Sequence, residues 1–226
     1  MTSHFEALGF KVDTIDQLDA LVRGVIASSE AHRRADGGLT YVRGSESGAA
    51  LCVHTDASNA VVAVEPFLAP DHGQRVLFRE ILPNTECVHL SPVAVDVEAA
   101  EAVASFAFVT PHLLAWQEAL VADTAIDVGV AGIVESIEYP ESDGADELVA
   151  TGMADIPAAP TATATGFVTE HLLRHNEHGG AFEWALLDVM GLAFEVVAAC
   201  GRLPMPFQTD MVVRVQLRLS GPIWGT

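Results

Sequence analysis

The sequence predicts an α+β fold: a small strand–helix–three-strand module followed by a mostly antiparallel, closed or nearly closed β-barrel. Three observations predict it. A single apolar stripe at helical spacing follows Thr14. The pattern then changes to period two over residues 39–69. The last third of the chain, from about residue 180, again alternates with period two rather than 3.6.

Residues 5–12, FEALGFKV, read as a short strand ending in a turn. Thr14 and Gln17 have the spacing of a capping box. Ile15, Leu18, Leu21, Val22, Val25 and Ile26 then form one apolar face, which predicts a helix over about residues 15–30. LTYVRG, GAALCVHTD and AVVAVEPFL follow as three short strands. Their connections, SESG and DASN, carry turn residues. The stretch PFLAPDHGQRVLFREILPNTE is punctuated by Pro and Gly and reads as a linker, dividing the chain into residues 1–82 and 83–226.

Beyond it, CVHLSPVAVDV and AVASFAFVT are strand candidates. PHLLAWQEALVAD reads as a short helix with Pro111 in its first turn. IDVGVAGIVESIEY reads as one long strand bent at Gly129 or Gly132. PESDGADE is an acidic turn, ELVATGMADI a further strand, and PAAPTATATG a loop or an edge strand. Residues 180–204, GAFEWALLDVMGLAFEVVAACGRLP, present a choice. One helix would carry Gly191 at its centre, at about 1 kcal/mol relative to Ala, with its aromatics spread around the circumference. Alternation of Phe182, Trp184 and Leu186, and then of Leu192, Phe194 and Val196, predicts a hairpin turning near residues 188–192 instead. MVVRVQLRLSG is the clearest strand: Val213, Val215, Leu217 and Leu219 face one way, and Arg214, Gln216 and Arg218 the other.

Composition narrows the function classes. Half of the 226 residues are hydrophobic, which is enough for a sizeable core. No apolar run reaches the roughly 18 residues of a membrane-spanning helix. The start, MTSHFEALGF, lacks the basic and apolar regions of a signal peptide. The expected location is therefore the cytoplasm. The formal charge is −20, and Lys11 is the only lysine. Such a surface repels nucleic acid and anionic membranes. Cys52, Cys87 and Cys200 are an odd number without a CxxC pair, so neither a disulfide framework nor a zinc motif is expected, and each reads as a small buried hydrophobe.

Taken together, SHFEALGFKV, GIVESIEY, FEWALLDVMGLAFEVVA and VVRVQLRLSGPI resemble an uncharacterised family of bacterial proteins to which no activity attaches. This chain carries Gln216 where that pattern tends to have Trp. By order of elements, the first module is similar to half of a vicinal-oxygen-chelate (glyoxalase-like) domain. The later strands look like an OB-type barrel. The glyoxalase-like resemblance implies a divalent metal held by His4 and Glu65, polarising a substrate oxygen. It also implies a second module, which a homodimer would supply.

Other candidates come from the residues themselves. In EHLLRHNEHGG, the trio His171, His175 and His178 would converge on a metal if the segment were helical. As the connection between two strands it is a His-rich polar loop, the favoured reading. Cys52 and His54, two apart on a strand, share a face, but no nucleophile-elbow motif accompanies them. RGSESGAA lacks the spacing of a phosphate-binding loop. Arg214, Gln216 and Arg218 form a polar stripe that reads as a solvated strand face. The expectation is a non-catalytic binding or interaction protein, self-associating through a sheet edge or apolar patch and needing no cofactor. The alternative is a metal-dependent enzyme using His4 and Glu65.

Overall fold

A computed structural model describes residues 4–34, 36–83, 91–99, 102–140, 147–153 and 156–225. Cys87, the start of its predicted strand and most of the PESDGADE turn lie outside the described residues.

His4–Ala7 form one helical turn, α1, where a strand was expected. The cause is a Schellman closure. The Phe10 amide donates to the Phe5 carbonyl at 2.8 Å and the Gly9 amide to the Glu6 carbonyl at 3.0 Å. Gly9 itself is left-handed at φ 73°. Helix α2, Ile15–Ser28, forms behind the predicted capping box. Thr14 Oγ1 accepts from the Gln17 amide at 3.3 Å, and Gln17 Oε1 accepts from the Thr14 amide at 3.0 Å.

A four-stranded antiparallel sheet follows: β1 (Ala31–Arg33), β2 (Leu39–Gly44), β3 (Ala49–Thr55) and β4 (Val61–Leu68), paired in that order. The last three fall where period two predicts them. β3 is buried along its whole length. Leu51 and Val53 face the helices and the larger sheet, whereas Ala50 and Cys52 pack with Phe67 on the other side.

The middle of the expected linker forms a strand of the larger sheet, β5, Gln74–Ile81, which pairs with β6 (Pro92–Ala99) and with β8 (Ala125–Val128). Alternate burial of Val76 and Phe78 explains why the segment is extended. β7 (Ala102–Val109) pairs with β6. The predicted helix after Pro111 shrinks to one turn, α3, Leu113–Trp116. The long strand predicted after residue 125 breaks into β8 and β9 (Ala131–Glu138) at Gly129, where a side chain would collide with Trp224 and Pro70.

β10 (Glu147–Met153) precedes β11, Ile156–His175, which takes in the PAAPTATATG stretch that was expected to be loop or edge. β12 (Ala181–Val189) and β13 (Leu192–Ala199) are the predicted hairpin, with both turn residues left-handed, Met190 at φ 57° and Gly191 at φ 80°. That is the turn geometry whose twist matches the strands it joins. β14 (Val212–Ser220) is the predicted strand, and β15 (Ile223–Gly225) follows.

Five of these strands close on themselves. β11 pairs with β12, β12 with β13, β13 with β9, β9 with β14, and β14 back with β11. All junctions are antiparallel except β13–β9. β11 serves both neighbours because residues 161–167 face β14 and the following half faces β12. The change of partner falls at Gly166, where a Cβ would overlap the Asp188 carbonyl. The ring encloses Val196, Leu187, Val215 and Leu217, and β5–β8 extend that core with Phe106 and Phe108. Outside the ring, Phe182, Trp184, Val197 and Ile133 pack against Leu8, Val22, Leu51 and Leu68, so one apolar cluster draws on both sides of the expected division at residue 82. The α+β expectation gives way to a mostly β fold with two sheets. Among the described residues only α2 exceeds one helical turn.

Candidate functional site

The turn closing β11 against β12 is built around Asn176. Its Oδ1 accepts from the amides of His178 and Gly180, both at 3.0 Å, and its Nδ2 donates to the Leu8 carbonyl at 3.0 Å. One buried amide thus fastens the turn to the segment leaving α1. Gly9 and Gly180 cross backbone to backbone there, and a Cβ on either would overlap the other's carbonyl.

Beside this crossing lies a cleft of about 660 Å³, walled by residues 9–13, by Gly179, Gly180 and Ala181, and by Cys200 and Arg202 just past β13. A recess of about 280 Å³ adjoins it across Phe10 and Lys11 and reaches Gln17 and His178. Arg202 is engaged: Nε and Nη2 both donate to Glu6 Oε1 at 3.1 Å. Lys11 and Asp13 line the same wall, and among the described residues neither has an ion-pair partner. They lie two residues apart, so an unpaired cation and an unpaired anion line one wall of the cleft.

A second polar centre holds the two sheets together. Glu195 is fully buried in an otherwise apolar strand. Its Oε1 accepts from the amides of Asp71 and His72 at 2.6 and 2.9 Å and meets His72 Nδ1 at 2.9 Å. Its Oε2 accepts from Trp184 Nε1 at 2.7 Å. Arg174 lies over the Trp184 ring at 4.0 Å and donates to the Ser47 carbonyl at 3.1 Å. With both oxygens hydrogen-bonded and the residue fully buried, this carboxylate fixes the connection between β4 and β5 onto β13.

The sites expected from sequence fare differently. His4 stands at the start of α1, not on a strand. It shares a neighbourhood with Glu65, Glu135 and Arg218, and its Nε2 is 4.0 Å from Glu135 Oε1. Burial, with Arg218 adding to it, holds its pKa below 6.5, against the opposing pull of Glu65 and Glu135. Glu65 accepts from Arg218 Nη2 at 3.3 Å. A guanidinium already seated on the carboxylate is a poor neighbour for a divalent cation, so these residues do not fit the metal that the resemblance implies.

His171 and His175 lie on β11, not on a helix, and four strand residues separate them by about 13 Å. His171 Nδ1 faces Thr209 Oγ1 at 3.4 Å. His178 occupies the turn, 6.0 Å from the Phe10 ring. The segment is strand plus tight turn, neither helix nor loose loop, because Asn176 and the two glycines after His178 turn the chain within five residues. Among the described residues no three His, Cys, Asp or Glu side chains are grouped to hold a metal.

Cys52 and His54 do come together, with Sγ 3.2 Å from Nε2, and Thr40 Oγ1 lies 2.9 Å from His54 Nδ1. Arg214 and Arg218 lie on β14, where Gln216 accepts from Ser136 at 2.9 Å.

Sequence reasoning missed Asn176, Arg202 and Glu195 as organisers. A signal existed for the last, since a lone acid in AFEVVAA interrupts an apolar alternation. No protein-family model matches the chain, and neither does any curated protein or solved structure.

Proposed function

We propose that this chain is a non-catalytic binding protein whose cleft beside the Gly9–Gly180 crossing receives a small zwitterion, such as an amino acid or a short peptide. The observation that carries the reading is the pairing of Lys11 and Asp13 on one wall of that cleft. The volume falls in the range that encloses a small molecule. A carboxylate would meet Lys11, and an ammonium would meet Asp13. A purely anionic ligand is disfavoured by a surface at −20 and by Glu6 on the rim. The cleft walls are fastened by Asn176 and by glycines in close contact, so little ordering entropy is lost on binding.

Thermal-shift and calorimetric titration of the purified protein with the amino acids, dipeptides, dicarboxylates and diamines tests this. Zwitterions should raise the melting temperature, whereas dicarboxylates and diamines should not. Lys11→Ala and Asp13→Asn should each weaken zwitterion binding about tenfold, the loss expected for one charge-assisted hydrogen bond. A panel in which no zwitterion binds, or in which Lys11→Ala binds as tightly as the parent, removes the proposal.

A further inference from the structure

Strand β11 outruns the ring. Val168 makes the last backbone bonds on the edge that faces β14: its amide donates to the Met211 carbonyl, and its carbonyl accepts from the Asp210 amide, both at 2.9 Å. Beyond it, residues 170–175 pair with β12 on the opposite edge. The turn fixes the alternation there, since the Asn176 amide donates to the Gly180 carbonyl at 3.0 Å. Every second residue back from Asn176 therefore bonds to β12, and His171, Leu173 and His175 turn their amides and carbonyls outward. Among the described residues no strand pairs with them. Sheet edges are commonly blunted by lysine, proline or a bulge. This stretch has none of these past Glu170, and it carries Leu172 and Leu173, 52% and 54% exposed.

We propose that this edge pairs with the same edge of a second copy of the chain, antiparallel about a two-fold axis at Leu172. The order of charges selects both occupant and register. Glu170 and Arg174 stand two residues to either side of Leu172, on its face of the strand. A reversed copy sets Glu170 opposite Arg174 of the second copy, the two-fold repeats that pair, and Leu172 meets its own counterpart. In the same register His171 and Leu173 exchange backbone hydrogen bonds across the axis. The charged groups are placed for it. Glu170 has no ion pair among the described residues. Arg174 is held by the Trp184 ring and the Ser47 carbonyl, and its contact with Asp71 is long, at 3.4 Å. A chain at −20 repels its own copies over most of its surface, whereas on this strip one acid and one base cancel. The strip is short, which places the dimer among the transient contacts that bury less than about 1,200 Å².

The test is sedimentation of the full-length protein over about a hundredfold range of concentration. The parent should pass from monomer to dimer. The amides of His171 and Leu173 should gain protection from hydrogen exchange as the dimer fills, because both are unpaired in the monomer. Glu170→Arg opposes like charges twice, and Leu172→Glu sets two carboxylates face to face on the axis. Each should weaken dimerisation about tenfold in a protein that still melts cooperatively, since both side chains are exposed. Val62→Lys marks the competing edge: Val61 and Val62 are exposed on β4, at the border of the small sheet, and this variant should dimerise like the parent. A parent that stays monomeric overturns the proposal. So does a dimer indifferent to Glu170→Arg and Leu172→Glu, or one that Val62→Lys dissociates. Protection of His171 and Leu173 that does not change with concentration, the mark of a partner within the same chain, overturns it as well.

Discussion

At the scale of single residues, the organising groups of this protein are an amide and a glycine rather than its histidines. EHLLRHNEHGG draws attention through His171, His175 and His178, but the atoms that fix the segment belong to Asn176 and Gly180. Asn tolerates tight turns and satisfies neighbouring amides, so "HNEHGG" was legible as a turn. That the turn docks on Leu8 and Gly9 was not, because the partner lies about 170 residues away and has no local signature. The crossing makes a sharp prediction. Gly180→Ala places a methyl group inside the Gly9 carbonyl, so the two backbones must separate. Unfolding by urea should show a loss of about 3 kcal/mol, in the upper range for overpacking. The same variant should lose zwitterion binding, since the crossing forms the floor of the cleft. An unchanged midpoint would mean that the contact yields easily.

The elements differ in how far sequence determined them. α2 and strands β2, β3, β4 and β14 follow from one capping box and from period two, because each pattern is satisfied within its own segment. The hairpin of β12 and β13 follows for the same reason. α1 stands where a strand ending in a turn is expected: the apolar residues of FEALGF suit either element, and closure of a Schellman turn at Gly9 decides for the helix. β5 falls where Pro and Gly predict a linker, and the first half of β11 falls where PAAPTATATG predicts a loop or an edge strand. Their extension is imposed by neighbouring strands, β6 and β8 for the one and β12 and β14 for the other. The hairpin offers a clean test of the turn chemistry. Gly191 is at φ 80° with nothing near the position of a Cβ, so Gly191→Ala meets only the backbone penalty of the left-handed region, about 1 kcal/mol. Denaturation should record that loss with an unchanged m-value and unchanged ligand titration. A loss above about 3 kcal/mol would show that the hairpin turn makes contacts beyond its own backbone.

For the molecule as a whole, the junction between the small sheet and the ring is where charge and burial meet. His4, at one edge of that junction, and His112, over the other face of the small sheet, both have pKa values held below 6.5. Burial is the main cause for each, joined by Arg218 at His4 and by His32 at His112. The sign follows from proton binding. With a folded pKa below the unfolded one, each histidine is neutral in both states above pH 6.5 and contributes no pH dependence there. As pH falls through about 6.5, the unfolded chain takes up protons that the folded chain refuses, and stability drops until the folded values are passed. Acid also relieves repulsion in a chain at −20, which acts in the opposite direction, so the histidine contribution must be isolated by comparison. His4→Gln and His112→Gln should each flatten the loss of stability between pH 7 and pH 5 relative to the parent, and the double variant should flatten it further. Parallel curves for parent and variants would show that neither imidazole is desolvated at the junction. In that case the small sheet would sit less tightly on the ring than the shared cluster of Leu8, Leu51, Phe182 and Trp184 requires.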